Sequence, residues 1–232
     1  MENPIIILGG MGPQASLELH RLIISKASCY TTKPDNYPPI IHASLAIPDF
    51  IESRQEVDKA ISIIRSSCGL LPLSKAIGIG MACNTAHLLL DQLPELAQVN
   101  FVSMIDEVVV KLKQQGIKKV GILASPFTIH SRLYHQPLAH VGIEVLSVTE
   151  DTLPEVASII RGVVGGINPG LLRPRVNRLA QTLINNGAET ILLGCTELPL
   201  VGLDVQLPAL SSLDVLATAL LERHQESFSR NI

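Results

Sequence analysis

The stretch IIILGGMGPQASLELHRLIISKA (residues 5–27) passes from a four-residue apolar run, through a glycine-rich loop, into helical spacing. A β-branched run with no polar face reads as a strand covered on both sides, the setting of a parallel sheet. The passage has an echo at KKVGILAS (118–125), where a second strand runs into another small-residue loop.

Outward from these two points the pattern alternates. PIIHASLAI (39–47), AIGIGMAC (76–83), NFVSMI (100–105), GIEVLSV (142–148) and ETILLGC (189–195) read as strands. Helical spacing occupies 57–71, 86–93, 107–116, 154–164, 171–186 and 212–226. In the first of these Val57, Ile61, Ile64 and Cys68 share one face. Asn186-Gly187 is a helix stop. Ile7 and Ile122 lie 115 residues apart, and Cys83 and Cys195, each ending a strand, lie 112 apart. The expectation is an α/β protein of two similar halves, each a short parallel sheet flanked by helices. Residues 1–98 plus 209–232 would form the first half, the last helix returning to it, and 99–208 the second. Ligands of open α/β sheets bind at the carboxyl ends of strands, so two facing halves would hold the active site between them.

Bulk properties narrow the function. The chain has 232 residues, 47% hydrophobic and 17% charged, with formal net charge −3. This suits a folded protein and disfavours nucleic acid or an anionic membrane surface as a partner. No apolar run approaches the roughly 18–20 residues of a spanning helix, and no basic region precedes the short apolar run of the N-terminus. Four widely spaced cysteines without C-x-x-C point to neither a zinc site nor a disulfide framework, and a cytoplasmic, reducing location is expected.

A cysteine in an apolar strand is usually a small buried hydrophobe, and Cys29 and Cys68 read that way. Cys83 in ACNTAH and Cys195 in LGCTELPL stand instead at strand ends beside polar neighbours. Pattern alone leaves them evenly placed between core and catalyst. As catalysts, two thiols on opposite faces of a carbon acid would form a two-base pair, one removing a proton while the other delivers one.

GGMGP (9–13), ACNTAH (82–87) and LGCTELPL (193–200), in this order, resemble the aspartate/glutamate racemase family, nearest to its aspartate branch; SPFTIHS (125–131) ahead of Tyr134 is a further similar segment. The resemblance covers nearly the whole chain. It implies an isomerase of two α/β domains that needs no cofactor, acts on a small acidic amino acid, and forms a homodimer. It implies catalytic roles for Cys83 and Cys195. Glu197 favours aspartate, because glutamate racemases typically carry histidine there.

Met11 and Gly12 lie in a loop whose N–H groups can cradle a carboxylate. Gly10-x-Gly12-x-x-Ala15 also matches a dinucleotide fingerprint formally, but the acid expected about 20 residues on is missing. Asn84 and Thr85 could contact substrate or cap the helix beginning at Ala86. Thr128 and Thr196 could each hold a carboxylate or stabilise a turn, and Glu197 could orient a thiol, the substrate ammonium or its own loop. His87 could orient the Cys83 loop, although a satisfied half-buried histidine is the commoner finding. The substrate's side-chain carboxylate calls for a cation. Some aspartate racemases place arginine directly after the Pro-Asp of the second strand, where Pro48-Asp49 is followed here by Phe50; Arg54 is the nearest replacement. Arg161 is the nearest cation to a second-half lysine that has no counterpart. Other readings are a related isomerase or decarboxylase acting on glutamate, hydantoin or maleate, and a non-catalytic amino-acid-binding protein.

Overall fold

The computed structural model describes residues 3–49 and 54–229. The chain forms two compact units, Met1–Met104 with Leu216–Ile232, and Ile105–Val215. The first contains β1 (Ile5–Gly9), α1 (Pro13–Ala27), β2 (Ile40–Ser44), α2 (Arg54–Cys68), β3 (Gly78–Met81), α3 (Pro94–Ala97) and β4 (Phe101–Val102). The second runs from α4 (Met104–Gln114) through β5 (Lys119–Leu123), α5 (Pro126–His130), α6 (His135–His140), β6 (Glu144–Ser147), α7 (Leu153–Val164) and α8 (Pro169–Asn185). It ends with β7 (Thr190–Leu193), α9 (Leu198–Val201) and β8 (Ala209–Ser211). The last helix, α10 (Ser212–Ser229), belongs to the first unit from Leu216 onward.

Each unit carries one fully parallel four-stranded sheet, in the orders β2-β1-β3-β4 and β6-β5-β7-β8. This is the α/β architecture of two similar halves expected from the alternation. The central strand β1 is buried along its whole length, which explains its lack of polar alternation. Ile6 and Leu8 enter a cluster with Ile64 of α2, Ile79 and Met81 of β3, and Leu93. Burial of each such side chain contributes about 1.5–3 kcal/mol. Gly80 in β3 makes room for α10, since a Cβ there would lie 2.8 Å from Leu220 Cδ1.

Pairing shows why the isoleucine and cysteine offsets nearly agree. Ile7 pairs with Gly80, and Ile122 with Leu192. One residue beyond each β3 or β7 strand, the same backbone bond recurs. Ala82 N–H donates to Leu8 C=O at 2.9 Å, and Gly194 N–H to Leu123 C=O at 2.8 Å. Cys83 and Cys195 are the next residues.

Some elements differ from expectation. Residues 100–105 contribute only β4, because Met104 already opens α4, and β4 pairs in the first sheet. The three-residue β8 was not anticipated; it is an edge strand of the second sheet, too short to show a period. Thr85–Gln92 is a 3-10 helix rather than an α-helix. Pro94 disfavours helical geometry at Leu93, and a short segment confined in this way tightens to i→i+3 bonding. Among the described residues no helix is long and apolar enough to cross a membrane.

Candidate active site

In each sheet the chain leaves the central strand for one edge and then returns to the other side. Strand order therefore switches between β1 and β3, and between β5 and β7. Crevices of open α/β sheets form at the carboxyl ends of such strand pairs. In the first unit this brings together the loop 9–13 and Cys83; in the second, Ser125–Thr128 and Cys195–Glu197.

The loop after β1 is held closely against the chain leaving β2. Leu45 N–H donates to Gly9 C=O at 3.1 Å. Gly10 has φ +94, and a Cβ there would lie 1.9 Å from the Leu45 carbonyl oxygen. Gly12 is the N-cap of α1, followed by Pro13, and no side chain caps this terminus. Half-buried Met11 packs on the same apolar cluster as Cys83.

Cys83 sits in a tight turn, its N–H donating to Met81 C=O at 2.8 Å. Asn84 and Thr85 come next, both buried. The expected capping role for Asn84 is not realised, because its side chain does not cap the 3-10 segment. His87 is buried, with Nδ1 2.9 Å from Cys83 C=O and Nε2 accepting from Met104 N–H at 3.1 Å. The Met104 contact had no signal in the sequence, since it joins residues 17 apart across β4.

In the second unit Ser125 caps α5, its Oγ accepting from Thr128 N–H at 3.2 Å and donating to Thr128 Oγ1 at 3.0 Å. The signal was available as serine directly before proline, the usual N-cap and N1 pair. Gly194 fits tightly behind Cys195: a Cβ there would lie 3.3 Å from Ala124 Cβ and 3.4 Å from the buried Tyr134 ring. Glu197 is 4% exposed. Its Oε2 accepts from the Cys195 thiol at 3.0 Å and from Thr196 Oγ1 at 3.2 Å. Burial pushes the Glu197 carboxyl above the usual range, opposed by the hydrogen bonds from Cys195, its own backbone and Thr196. The thiol and the carboxyl are thus in direct hydrogen-bond contact.

The sequence pattern of the Asp/Glu/Hydantoin racemase family matches residues 8–220, taking in both cysteine strand ends. The chain belongs to this family. Over 97% of its length it resembles the aspartate racemase of Picrophilus torridus, covering 95% of that chain at TM-score 0.80 and 25% identity. The broad specificity amino-acid racemase RacX of Bacillus subtilis is 24% identical over 218 residues, 91% of this chain and 93% of that protein. A glutamate racemase of Herpetosiphon aurantiacus is 30% identical over 122 residues, 52% of this chain and 47% of that protein.

Within this racemase the remaining candidates divide by surroundings. Asp49 is exposed beyond β2. Phe50 lies outside the described residues, as does the side chain of Arg54, whose backbone opens α2. Arg161 is exposed on α7. Cys68 is buried on α2 as expected, and burial pushes its thiol up. Cys29 is instead exposed, because it follows the C-cap of α1 where the chain turns off the core. Among the described residues no group of three or more His, Cys, Asp or Glu side chains is placed to hold a metal ion.

Proposed function

We propose that this racemase interconverts L- and D-aspartate without a cofactor, Cys83 and Cys195 acting as its two acid/base groups. The observation that carries the reading is the equivalence of the two cysteines. Each stands one residue past the same backbone bond, at the carboxyl end of the same strand of its sheet. In the proposed step one thiolate takes the Cα proton and the other thiol delivers a proton to the opposite face, inverting the centre. General acid–base catalysis supplies about 10²–10⁴-fold; oriented donors must supply the rest by stabilising the carbanion. We assign the substrate carboxylate to the loop 10–12 and the α1 N-terminus, with Asn84, Thr85, Thr128 and Thr196 as neutral donors.

Glu197 gives the Cys195 thiol a carboxyl partner. A free thiol titrates near 8.5 and a glutamate near 4.3, so proton transfer between them is ordinarily uphill. Burial raises the carboxyl, and the hydrogen bond from the Cys195 thiol is the basis for assigning Glu197 as the acceptor of its proton when the thiolate forms. The likeness to an aspartate racemase and the C-T-E sequence at 195–197 support aspartate over glutamate.

The test is deuterium incorporation at Cα in D2O, with no added cofactor, for both enantiomers of aspartate and of glutamate. The expected result is exchange with inversion of aspartate, and slower exchange of glutamate. Faster exchange of glutamate would overturn the substrate assignment; no exchange in either pair would overturn the reaction.

Glu197→Gln separates the chemical role of this carboxyl from its structural cost. We expect kcat to fall by about 10²-fold, the low end for a proton-transfer partner. Because burial raises Glu197 in the folded protein, its ionised form costs stability above the ordinary carboxyl range near 4.3 and not below it. The thermal midpoint of Glu197→Gln relative to the parent should therefore be more favourable at pH 7 than at pH 4. Calorimetry at both values checks the sign, and the opposite trend would refute the burial argument.

A further inference from the structure

The two cysteine strand ends share a backbone course but differ in what holds the cysteine carbonyl. Cys195 C=O accepts the backbone N–H of Leu198 at 3.1 Å. Cys83 C=O is met by a side chain, His87 Nδ1, at 2.9 Å. The other ring nitrogen, Nε2, accepts from Met104 N–H at 3.1 Å. A backbone N–H only donates, so Nε2 carries no proton and Nδ1 carries the hydrogen given to Cys83. Two backbone bonds thus select one neutral tautomer. The ring is 7% exposed and lies against Phe101, with centroids 5.8 Å apart.

We infer that His87 is a positioning residue for Cys83, holding the cysteine carbonyl to the Met104 amide and thereby setting the direction of the thiol. The inference rests on the reading of Cys83 as an acid/base group. Its physical basis is local. Cys83 occupies a two-residue-wide turn and is followed by a 3-10 segment, whose hydrogen-bond geometry is poorer than that of an α-helix. A buried ring bonded at both nitrogens adds a fixed link from this turn to the start of α4. Proton transfer at carbon depends steeply on alignment: a misplacement of about 1 Å can cost about 10²-fold.

The experiment compares His87→Leu, His87→Gln and His87→Asn in the intact protein. Glutamine presents a donor and an acceptor spaced nearly as the ring nitrogens are, whereas asparagine is one carbon shorter and leucine has neither group. We expect His87→Leu and His87→Asn to lower kcat by about 10–10²-fold with KM within roughly twofold, and His87→Gln to restore most of the loss. The equilibrium constant between enantiomers is fixed, so kcat/KM must fall equally in the two directions. The primary isotope effect with Cα-deuterated substrate need not, and it should rise for one enantiomer only, the one whose proton Cys83 removes.

A merely structural lesion would reduce the active fraction and leave both isotope effects at parent values. That outcome, or parent kcat in folded His87→Asn, overturns the inference. If His87→Leu does not fold, the contrast between glutamine and asparagine decides. Should Cys83→Ala itself racemise at the parent rate, the underlying assignment of Cys83 fails instead, and the two failures are thereby told apart.

Discussion

Cys83→Ala and Cys195→Ala are each expected to lower racemisation of aspartate by at least about 10²–10⁴-fold, the range that one general acid–base group supplies. Alanine deletes the titrating sulfur and leaves the Cβ, and both positions are half-buried strand ends at the margin of the core clusters. The loss should appear in kcat in both variants, with a further fall in thermal midpoint for Cys195→Ala, which deprives the buried Glu197 carboxyl of a hydrogen bond. Two-base chemistry makes a sharper forecast. In either variant one thiol survives, so it can still take the proton of one enantiomer and return solvent deuterium to the same face. Exchange without inversion should persist for one enantiomer in Cys83→Ala and for the other in Cys195→Ala. NMR of the Cα position in D2O, with chiral analysis of the product, checks both halves. If both variants racemise aspartate and glutamate at the parent rate, the cysteine mechanism is wrong.

Gly10→Ala is expected to be the most damaging single change in the loop that leads into α1. Its φ of +94 disfavours any L side chain, and the added Cβ would lie 1.9 Å from Leu45 O and 2.5 Å from Leu45 N. Those neighbours are backbone, and Leu45 is itself bonded to Gly9 C=O, so neither side can yield without moving the loop. Left-handed strain alone costs about 1–2 kcal/mol, and the clash should raise the total to roughly 3 kcal/mol or more. For a chain of this size that corresponds to a fall in thermal midpoint of about 6–12 °C. Gly116→Ala is the control: φ is +73, but nothing lies within 4 Å of the added Cβ, so it carries the strain without the clash. Equal midpoints for the two variants would show that close approach of the loop to Leu45 does not matter.

Most of the sheet architecture was legible because its determinants are local. Four consecutive apolar β-branched-rich residues at 5–8, bounded by a glycine-rich loop, read as a doubly covered strand, and the repeat of strand and small-residue loop at 118–125 exposed the duplication. Short or confined elements were not legible. β8 is three residues long and lies at an edge; the segment Thr85–Gln92 has helical spacing, yet it folds as a 3-10 helix ending at Leu93, directly before Pro94. Cys29 shows the same limit in a single residue. Its apolar character matched Cys68, but the helix C-cap one position earlier turned it outward.

The candidate residues divide along the same line. Sequence by itself determined the α/β class, the doubled half, and the chemical identity of the two strand-end positions, because residue type, period and order along the chain are sufficient for those. Tertiary structure alone decided which bonds each residue makes. It placed the Cys195 thiol and Thr196 hydroxyl on one oxygen of Glu197, used Ser125 and Thr128 on each other, and tied His87 to Met104 across β4. The physical reason is that proton affinity and thiol direction depend on burial and on partners brought from other parts of the chain. A glutamate two residues from a cysteine reads the same in solvent as in a core; only folding left it 4% exposed and set its carboxyl against the sulfur.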